Sequence, residues 1–569
     1  MTMSVPDDVR TCMTATWSEI EPRYRDLLGR TVDAGTADSF LRDWTAVSAA
    51  VFEAQQRLKI ATDQNTADED AKHRYGAFMD AVFPAYQAAE QELRQKFLAS
   101  GVVPEGLAVP LKRMREQVEL FREDNVLLLA EEQKLSTEYF AITGAQTVQW
   151  QGREVPAMRM VAELQNPDRA IREQAWRLIT ERRLADREAI NDLWRRLLRL
   201  RVQIARNAGC DTYREYRWRQ LMRFDYTPDD CKRFHRAVET VVVPALRRAA
   251  RRRQERLGVD RLRPWDTDVD PRGRPALHPA GGVEELGRRS TAVFRRVHPA
   301  FGEYFETMMQ GSLLDLESRA NKAPAGYNMT LPASRMPFIF MHAIGVHRDV
   351  VVLVHEGGHA FHSFEANRLP YLPQRMGIPA ESAEVASMSM ELLTLPYLDS
   401  DDGGFYPARE ANRARYDAIQ PIIRLLAHTT MIDAFQHWVY ENPEDAMDTA
   451  QCDHQFAELT ERFLPVADFT GLEEAQATGW QPILHIHALP FYVIEYAFAQ
   501  LGALQIWAAA MQDQQSAVER YRRALSLGNT VSVPEFYEAA GARFAFDEEM
   551  VRFAVELLER EIERFDAAA

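Results

Sequence analysis

Residues 350–364 read VVVLVHEGGHAFHSF, so an apolar run leads directly into two histidines that are four residues apart. Because residues i and i+4 share one face of a helix, His355 and His359 can bind the same zinc ion. Glu356 lies beside them, where it can take a proton from a water activated by the zinc. The apolar flanks predict a buried helix, in which imidazoles need partners. The stretch predicts a zinc peptidase; the alternative is a helix with two hydrogen-bonded surface histidines.

A second predicted helix, residues 380–393, offers carboxylates as the third protein ligand that a catalytic zinc usually takes. The Pro- and Gly-bearing connection 369–379 allows this helix to fold back beside the first. Glu384 and Glu391 lie two turns apart among apolar neighbours, and a buried carboxylate is costly without a cation. Glu381 competes with them for the role of ligand.

A third cluster of polar aromatic residues lies far downstream, in residues 485–496. Tyr492 and Tyr496 are spaced as neighbours on one helix face, after a proline that can start the helix. Phenol or imidazole donors aimed at the negative oxygen of a tetrahedral intermediate lower the barrier of peptide hydrolysis. The alternative interpretation is core packing, which aromatic residues at helical spacing also produce.

These motifs resemble those of the zinc oligopeptidases of the thimet oligopeptidase and oligoendopeptidase F family. The family pattern is H-E-x-G-H-x-x-H followed by a Glu about 29 residues after the first His. The residues of this chain that match are His355, Glu356, Gly358, His359, His362, Glu384, Ser387 and Glu391. The resemblance implies that Glu384 is the third zinc ligand and that Glu391 supports the ligands from behind. It also implies that His362 supports or packs beside the ligands without binding the metal.

The segment just before the motif extends the resemblance. Residues 322–331 read KAPAGYNMTL and are similar to the K-A-P-G-G-Y segment of the family, with Ala325 in place of the second Gly. There a short strand offers its edge to a peptide, so Gly326 and Tyr327 are expected to bind substrate. Residues 338–340 are expected to form the neighbouring strand, and a simple hairpin is the alternative.

The family also has a His and Tyr pair near the downstream cluster, in contact with the substrate and the oxyanion. By that resemblance Tyr496 is the first candidate for the oxyanion donor, and Tyr492 is the second. His485 matches the family His by its spacing to Pro490. His487 is the rival and is expected to contact substrate.

Composition limits the other possible functions. The chain has 569 residues, of which 46% are hydrophobic and 27% charged, and its net charge is −16. This acidity argues against nucleic acid or an anionic membrane as a general partner. The basic stretch 247–256 is interpreted as a solvated helix face, since no aromatic residues interleave it. The sequence also has no apolar run of about 18 residues that would suggest a membrane span.

The expected location of the protein is the cytoplasm. The four cysteines are scattered without a C-x-x-C pattern, which fits a reducing compartment. Residues 1–8 have neither the basic start nor the apolar core of a signal peptide.

Most of the chain has the apolar spacing of amphipathic helices. We expect a mainly α fold with two helical lobes around a deep cleft and a zincin-type active-site helix. The predicted division is an N-terminal helical region, 1–190, and a zinc peptidase catalytic domain, 191–569, with a small β element near 326–342. A small hairpin is expected at 147–155.

Together these features predict an endopeptidase with one zinc ion. The resemblance implies that it hydrolyses peptide bonds in short oligopeptides, because a deep cleft admits only short flexible chains. A zinc carboxypeptidase is the nearer alternative and would need a cationic group to hold the C-terminus of its substrate. The others are a helical binding protein with a non-catalytic zinc site and an RNA-binding protein that uses the basic stretch.

Overall fold

A computed structural model of the chain describes residues 5–279 and 281–568. Helices dominate it, as the apolar spacing predicts. In chain order they are α1 Asp7–Thr14, α2 Trp17–Gly29, α3 Ala37–Gln64, α4 Glu69–Ala81, α5 Phe83–Ala99, α6 Ala108–Leu120, α7 Val126–Gly144, α8 Arg169–Ala185, α9 Arg187–Asn207, α10 Tyr213–Gln220, α11 Pro228–Leu257, α12 Val283–Val297, α13 Pro299–Gln310, α14 His347–Ala366, α15 Leu372–Arg375, α16 Ala380–Leu393, α17 Ala408–Glu441, α18 Thr449–Phe463, α19 Glu473–Ala477, α20 Leu484–His487, α21 Ile494–Gln512, α22 Gln514–Ser526, α23 Val533–Ala539 and α24 Glu548–Ala568.

Two small sheets interrupt the helices. The strands β1 Thr147–Trp150 and β2 Arg153–Pro156 form the expected antiparallel hairpin. The second sheet contains β3 Leu314–Glu317, β4 Tyr327–Leu331 and β5 Met336–Ala343 in the order β3-β5-β4. β5 pairs with β3 in parallel and with β4 antiparallel, so β4 is an edge strand of this sheet.

The apolar core is divided between two large clusters. Helices α1–α6 enclose one of them around Tyr24, Phe40 and Phe97. The larger cluster is drawn mainly from α9 to α24, with Ile60 of α3 and Leu120 of α6, and surrounds the helix that carries the histidine motif. The prediction of a mainly helical fold with a small sheet beside this helix is confirmed. The division at residue 190 stays a prediction. The N-terminal cluster runs from Val9 to Met114 and also contains Tyr371, and α7 packs on α9.

Helices α1–α6 and the cluster that they enclose form the N-terminal body, and α3 connects this body to the second sheet. The buried carboxylate of Glu53 accepts hydrogen bonds from the backbone N–H (2.7 Å) and the hydroxyl (2.5 Å) of Ser334, in the turn between β4 and β5. At the other end of β4, the Tyr327 hydroxyl donates to Asp63 at 2.8 Å. The position of β4 therefore depends on two acidic side chains of α3.

The basic stretch 247–256 lies in α11 and faces the acidic helix α24. Arg248 pairs with Glu559 at 2.8 Å, and Arg256 pairs with Asp566. The residues of the stretch are exposed or half-buried, as expected of a solvated helix face, and carboxylates of a neighbouring helix balance part of its charge. None of the helices in the described ranges is long and apolar enough to cross a membrane.

Candidate active site

Helices α14 and α16 are closely packed, and polar side chains of the two helices face each other. α14 begins after a turn in which the Asp349 carboxylate accepts the backbone N–H groups of residues 344–346 at 2.6–3.0 Å. Gly358 faces α16, and a Cβ at that position would lie 2.5 Å from the Ala386 carbonyl oxygen. A Cβ at Gly357 would lie 2.6 Å from the Phe294 ring. The two glycines thus allow the close approach of two neighbouring elements.

Three potential metal ligands converge between these helices. His355 Nε2 and His359 Nε2 lie 3.6 and 3.8 Å from Glu384 Oε2, and the three donor atoms all lie within 4.8 Å of one another. Two ligands that each lie about 2 Å from one ion are about 3–4 Å apart, so the spacing fits a single zinc ion. Two imidazoles and one carboxylate also form a donor set typical of catalytic zinc.

Glu391 orients the first of these ligands. Its Oε1 lies 2.6 Å from His355 Nδ1, which leaves Nε2 of the ring directed at Glu384. Such an acidic partner fixes the tautomer of a metal-binding imidazole. Burial lowers the pKa of His355, but the bond to Glu391 and the neighbouring carboxylates outweigh it and raise this pKa to about 9. By contrast, burial and the nearby His355 hold the pKa of His359 well below its usual value.

Glu356 lies on α14 between the two histidines. Burial and the charges of Glu384 and Glu391 raise the pKa of its carboxyl to about 6, although His355 opposes the shift. A general base works best with a pKa near the operating pH. Asn328 of β4 donates from Nδ2 to the Glu356 backbone oxygen at 3.3 Å, so the edge strand contacts the motif itself. No motif in the sequence points to this asparagine.

Two tyrosines and a histidine form a cluster beside Glu384: His485 lies in α20, Tyr492 in the connection after it and Tyr496 in α21. The Tyr492 hydroxyl donates to Glu384 Oε1 at 3.2 Å. The Tyr492 and Tyr496 ring centroids are 5.4 Å apart, and His485 lies within 6.2 Å of both. Burial and the charge of Glu384 raise the pKa of Tyr496 to about 12, so its hydroxyl keeps its proton. Tyr492 precedes α21, which corrects the expectation that both tyrosines share one helix face.

The model of the family described as "Peptidase family M3" matches residues 162–277 and 295–555. The chain belongs to peptidase family M3. Among curated proteins it is similar to an oligoendopeptidase F homolog of Borreliella burgdorferi, with 26% identity over 190 residues, which are 32% of this chain and 30% of that protein. An oligoendopeptidase F homolog of Mycoplasma pneumoniae is 24% identical over 305 residues, covering 50% of this chain and 47% of that protein. The chain thus spans less than half the length of these relatives.

Solved structures cover the chain almost completely. The structure described as PZ peptidase A with inhibitor 2 has a TM-score of 0.86 at 23% identity and covers 97% of this chain and 98% of its own. A putative oligoendopeptidase F has a TM-score of 0.86 at 25% identity, with 96% and 97% covered. A putative oligoendopeptidase F from Bacillus anthracis reaches 0.80 at 22% identity, with 97% of each chain covered. The fold of this M3 chain is therefore that of these peptidase structures.

Two histidines of the predicted site lie in the core of this M3 chain. His487 has an exposed fraction of 0% and is stacked between Tyr139 and Trp480, with centroids 4.5 and 5.6 Å away. This corrects the expectation that His487 contacts substrate, and the histidine beside Tyr492 and Tyr496 is His485. His362 is buried 5.7 Å from the Phe536 ring, so it packs behind the site.

The other predicted residues have defined partners. Glu381, the competing ligand, accepts the Tyr226 hydroxyl at 2.6 Å and is thereby engaged away from the two histidines. Tyr327 stacks on Phe340 with centroids 5.0 Å apart. β4 is paired with β5 although Ala325 stands in place of the second Gly of the family segment.

A second buried group of potential ligands lies between α11 and α17 and was not predicted from the sequence. It contains Cys231, Asp433 and His437. Asp433 Oδ2 is hydrogen-bonded to His235 Nε2 at 2.8 Å and lies 3.2 Å from His437 Nε2. An Arg214 N–H lies 3.2 Å from His437 Nδ1, which puts the ring hydrogen on Nε2 toward Asp433. Asp433 Oδ1 and His437 Nε2 are nevertheless buried without a hydrogen-bond partner among the described residues, so the group is only partly satisfied by the protein.

Proposed function

We propose that this protein is a zinc-dependent endopeptidase that hydrolyses peptide bonds in short oligopeptides. The observation that carries the proposal is the convergence of His355, His359 and Glu384 on two packed helices, with Glu356 beside them. Membership of peptidase family M3 supports the reaction class.

His355, His359 and Glu384 would hold the zinc ion, and Glu391 would keep His355 in the required tautomer. When bound in such a site, zinc polarises a carbonyl oxygen and lowers the pKa of water. Glu384 is further constrained by the hydroxyls of Ser387 and Tyr492, each 3.2 Å from one of its oxygens.

Glu356 is the general base in this proposal. Its carboxylate accepts a proton from the attacking water and later passes the proton to the leaving amine. The elevated pKa of this buried carboxyl suits both steps, because a group with a pKa near 6 binds and releases a proton readily near neutral pH.

Tyr496 is the proposed donor to the oxyanion, with Tyr492 and His485 beside it. The Tyr492 hydroxyl already donates to Glu384, whereas the contacts of Tyr496 in this cluster are with the aromatic neighbours Tyr492 and His485. A protonated phenol in a half-buried site can donate to the negative oxygen that forms in the transition state.

Peptide would bind along the edge strand β4. An extended peptide can add to an open strand edge through main-chain hydrogen bonds; Tyr327 is the first residue of this strand and Gly326 directly precedes it. The exposed fractions of the His355, His359 and Glu384 side chains are 24, 22 and 7%, so the substrate must reach inward. Short flexible peptides meet this requirement.

The described cysteines are all buried and unpaired, which suits a reducing, cytoplasmic setting.

The test is product analysis by mass spectrometry on a mixed peptide pool, with and without a chelator. We expect cleavage at internal bonds that stops with the chelator and returns with zinc. Glu356→Gln is the matched variant: the amide keeps the volume but cannot accept the proton, so turnover should fall by about 10²–10⁴-fold with metal content unchanged. Release of single C-terminal residues only, or near-normal turnover by Glu356→Gln, would contradict the proposal.

A further inference from the structure

The segment that carries two of the candidate oxyanion donors is built mainly of turns. It runs from α20 to the start of α21 and includes His485 and Tyr492. Phe491 in this segment has a φ of 64°, in the left-handed region. That conformation costs a non-Gly residue about 1–2 kcal/mol, so contacts from outside the segment must hold it.

Three arginines supply those contacts, and we refer to Arg201, Arg217 and Arg223 as the arginine clamp. Arg201 of α9 donates to the carbonyl oxygens of Ile486 (3.1 Å) and His487. The other two clamp residues bind the next carbonyls along the segment, namely Pro490 with Arg217 Nε at 3.0 Å and Phe491 with Arg223 Nη2 at 2.5 Å. Four carbonyl groups within six residues are thus bound by guanidinium groups from one neighbouring region.

Two of the clamp residues are fully desolvated and have acidic partners. Arg201 is bonded to Glu132 at 2.8 Å, and Arg223 to Glu495 at 2.6 Å. A buried charge is tolerated only when it is paired and hydrogen-bonded, so these guanidinium groups are restricted to this arrangement. Glu495 is in the first turn of α21 and directly precedes Tyr496. The Arg223 contact therefore also fixes the helix turn that carries the proposed oxyanion donor.

We propose that Arg201, Arg217 and Arg223 are positioning residues for peptide hydrolysis: they hold the 486–491 backbone so that the Tyr492 and Tyr496 hydroxyls face the potential ligands. The inference rests on the proposed function. The clamp touches neither the three potential ligands nor Glu356, and acts through the segment alone. Misplacing a reacting group by about 1 Å can cost about 10²-fold in rate, so a clamp of this kind affects turnover more than binding.

Arg217 is the residue on which this can be tested without unfolding the protein, because it is only partly buried. Its donor to Pro490 is Nε, and the amide nitrogen of a glutamine occupies the same position along the side chain. Arg217→Gln therefore keeps the donor and removes the charge, whereas Arg217→Met keeps the length and removes the donor. The matched control on the same helix is Arg219→Met, since Arg219 pairs with Glu116 instead.

We expect Arg217→Met to lower kcat by about 10-fold to 10²-fold with KM and zinc content unchanged. Arg217→Gln and Arg219→Met should retain the kcat of the unmodified protein within about twofold, which is below 0.5 kcal/mol. A normal kcat in Arg217→Met overturns the proposal. An equal loss in Arg217→Gln overturns it too, since charge rather than the carbonyl bond would then be responsible, and so does loss of zinc from Arg217→Met.

Hydrogen exchange separates this inference from the proposed function, because it needs no turnover. Backbone amides of residues 485–493 should exchange faster in Arg217→Met than in Arg217→Gln, while those of α14 stay unchanged. A protein that cleaves no peptide but shows this difference would contradict the endopeptidase proposal and leave the clamp as a purely structural device. Equal exchange in the two variants would show that Arg217 does not hold the segment.

Discussion

Glu384 holds the central place among the side chains of the candidate site. Its Oε2 lies 3.6 and 3.8 Å from the two histidines and accepts a bond from Ser387, while its Oε1 accepts one from Tyr492. Burial raises the pKa of this carboxyl, although the His355 charge opposes the shift. A buried carboxylate is costly alone, and a bound cation would remove that cost. The residue is thus better suited to bind metal than to face solvent.

Replacement of Glu384 should weaken metal retention. We expect Glu384→Ala to bind zinc at least 10–100-fold more weakly, the loss typical of even an outer partner of a metal ligand. Glu381→Ala is the control, because Glu381 is bonded to Tyr226 and should retain the metal. Metal analysis of both purified variants checks this. Full zinc occupancy in Glu384→Ala would remove Glu384 from the ligand set.

Replacement of Tyr496 can distinguish a catalytic role of this residue from a packing role in the aromatic cluster. Loss of a single oxyanion donor costs about 2.7–4 kcal/mol in the transition state, so Tyr496→Phe should lower kcat by about 10²–10³-fold with little change in KM. Phenylalanine fills the same space, so a packing role predicts normal activity. Steady-state kinetics with a melting curve decides. An unchanged kcat would assign Tyr496 to the core and move the oxyanion role to Tyr492 or His485.

At the scale of elements, the site depends on how closely α14 and α16 approach. Gly358 is at the contact, and a methyl group there would meet the α16 backbone at Ala386. Neither helix can shift freely, because buried side chains surround both. The donor separations of 3.6 and 3.8 Å are therefore set by this helix pair.

The prediction at this scale compares two helical glycines. Gly358→Ala should destabilise the protein by about 1–3 kcal/mol through overpacking and should weaken zinc binding by separating the helices. Gly76 lies in α4, and a Cβ added there would meet no atom within 4 Å, so Gly76→Ala should stabilise that helix by about 1 kcal/mol. Thermal unfolding of both variants, with and without zinc, checks the pair. Equal stability of the two variants would rule out the close contact at Gly358.

The sequence predicts those features of the structure that depend on local interactions, and it does not predict those that depend on contacts between distant residues. The i, i+4 spacing of His355 and His359 is local, so it predicts the ligand face without knowledge of the fold. The choice of Glu384 over Glu381 depends on where Tyr226 lies, 155 residues earlier in the chain. The burial of His487, two residues from His485, follows from Tyr139 and Trp480 on distant elements. Such tertiary contacts leave no period in the sequence.

At the scale of the whole molecule, side chains of the N-terminal body form hydrogen bonds at both ends of the edge strand β4. Glu53 binds the turn that ends β4, and Asp63 binds Tyr327 at its start, so both ends of the proposed peptide-binding strand depend on α3. The Glu53 carboxylate also accepts from Arg57 at 2.8 Å. Three donors thus converge on a carboxyl group with no solvent contact. If peptide binds along β4 as proposed, the N-terminal helices should affect substrate binding more than the potential metal ligands.

Glu53→Gln tests this expectation. The amide presents a donor where Ser334 and Arg57 also donate, so at least one charge-assisted bond, worth about 1.5–3 kcal/mol, is lost. If that energy holds β4 in place for peptide, KM should rise by about 10-fold or more while kcat and zinc content change little. Glu21→Gln is the control in the same body, since Glu21 forms an exposed pair with Arg25 that contributes little. Kinetics on one quenched peptide across both variants measures the effect. A fall in kcat at constant KM would instead mean that α3 acts on the chemistry, and unchanged kinetics would mean that β4 does not bind the substrate.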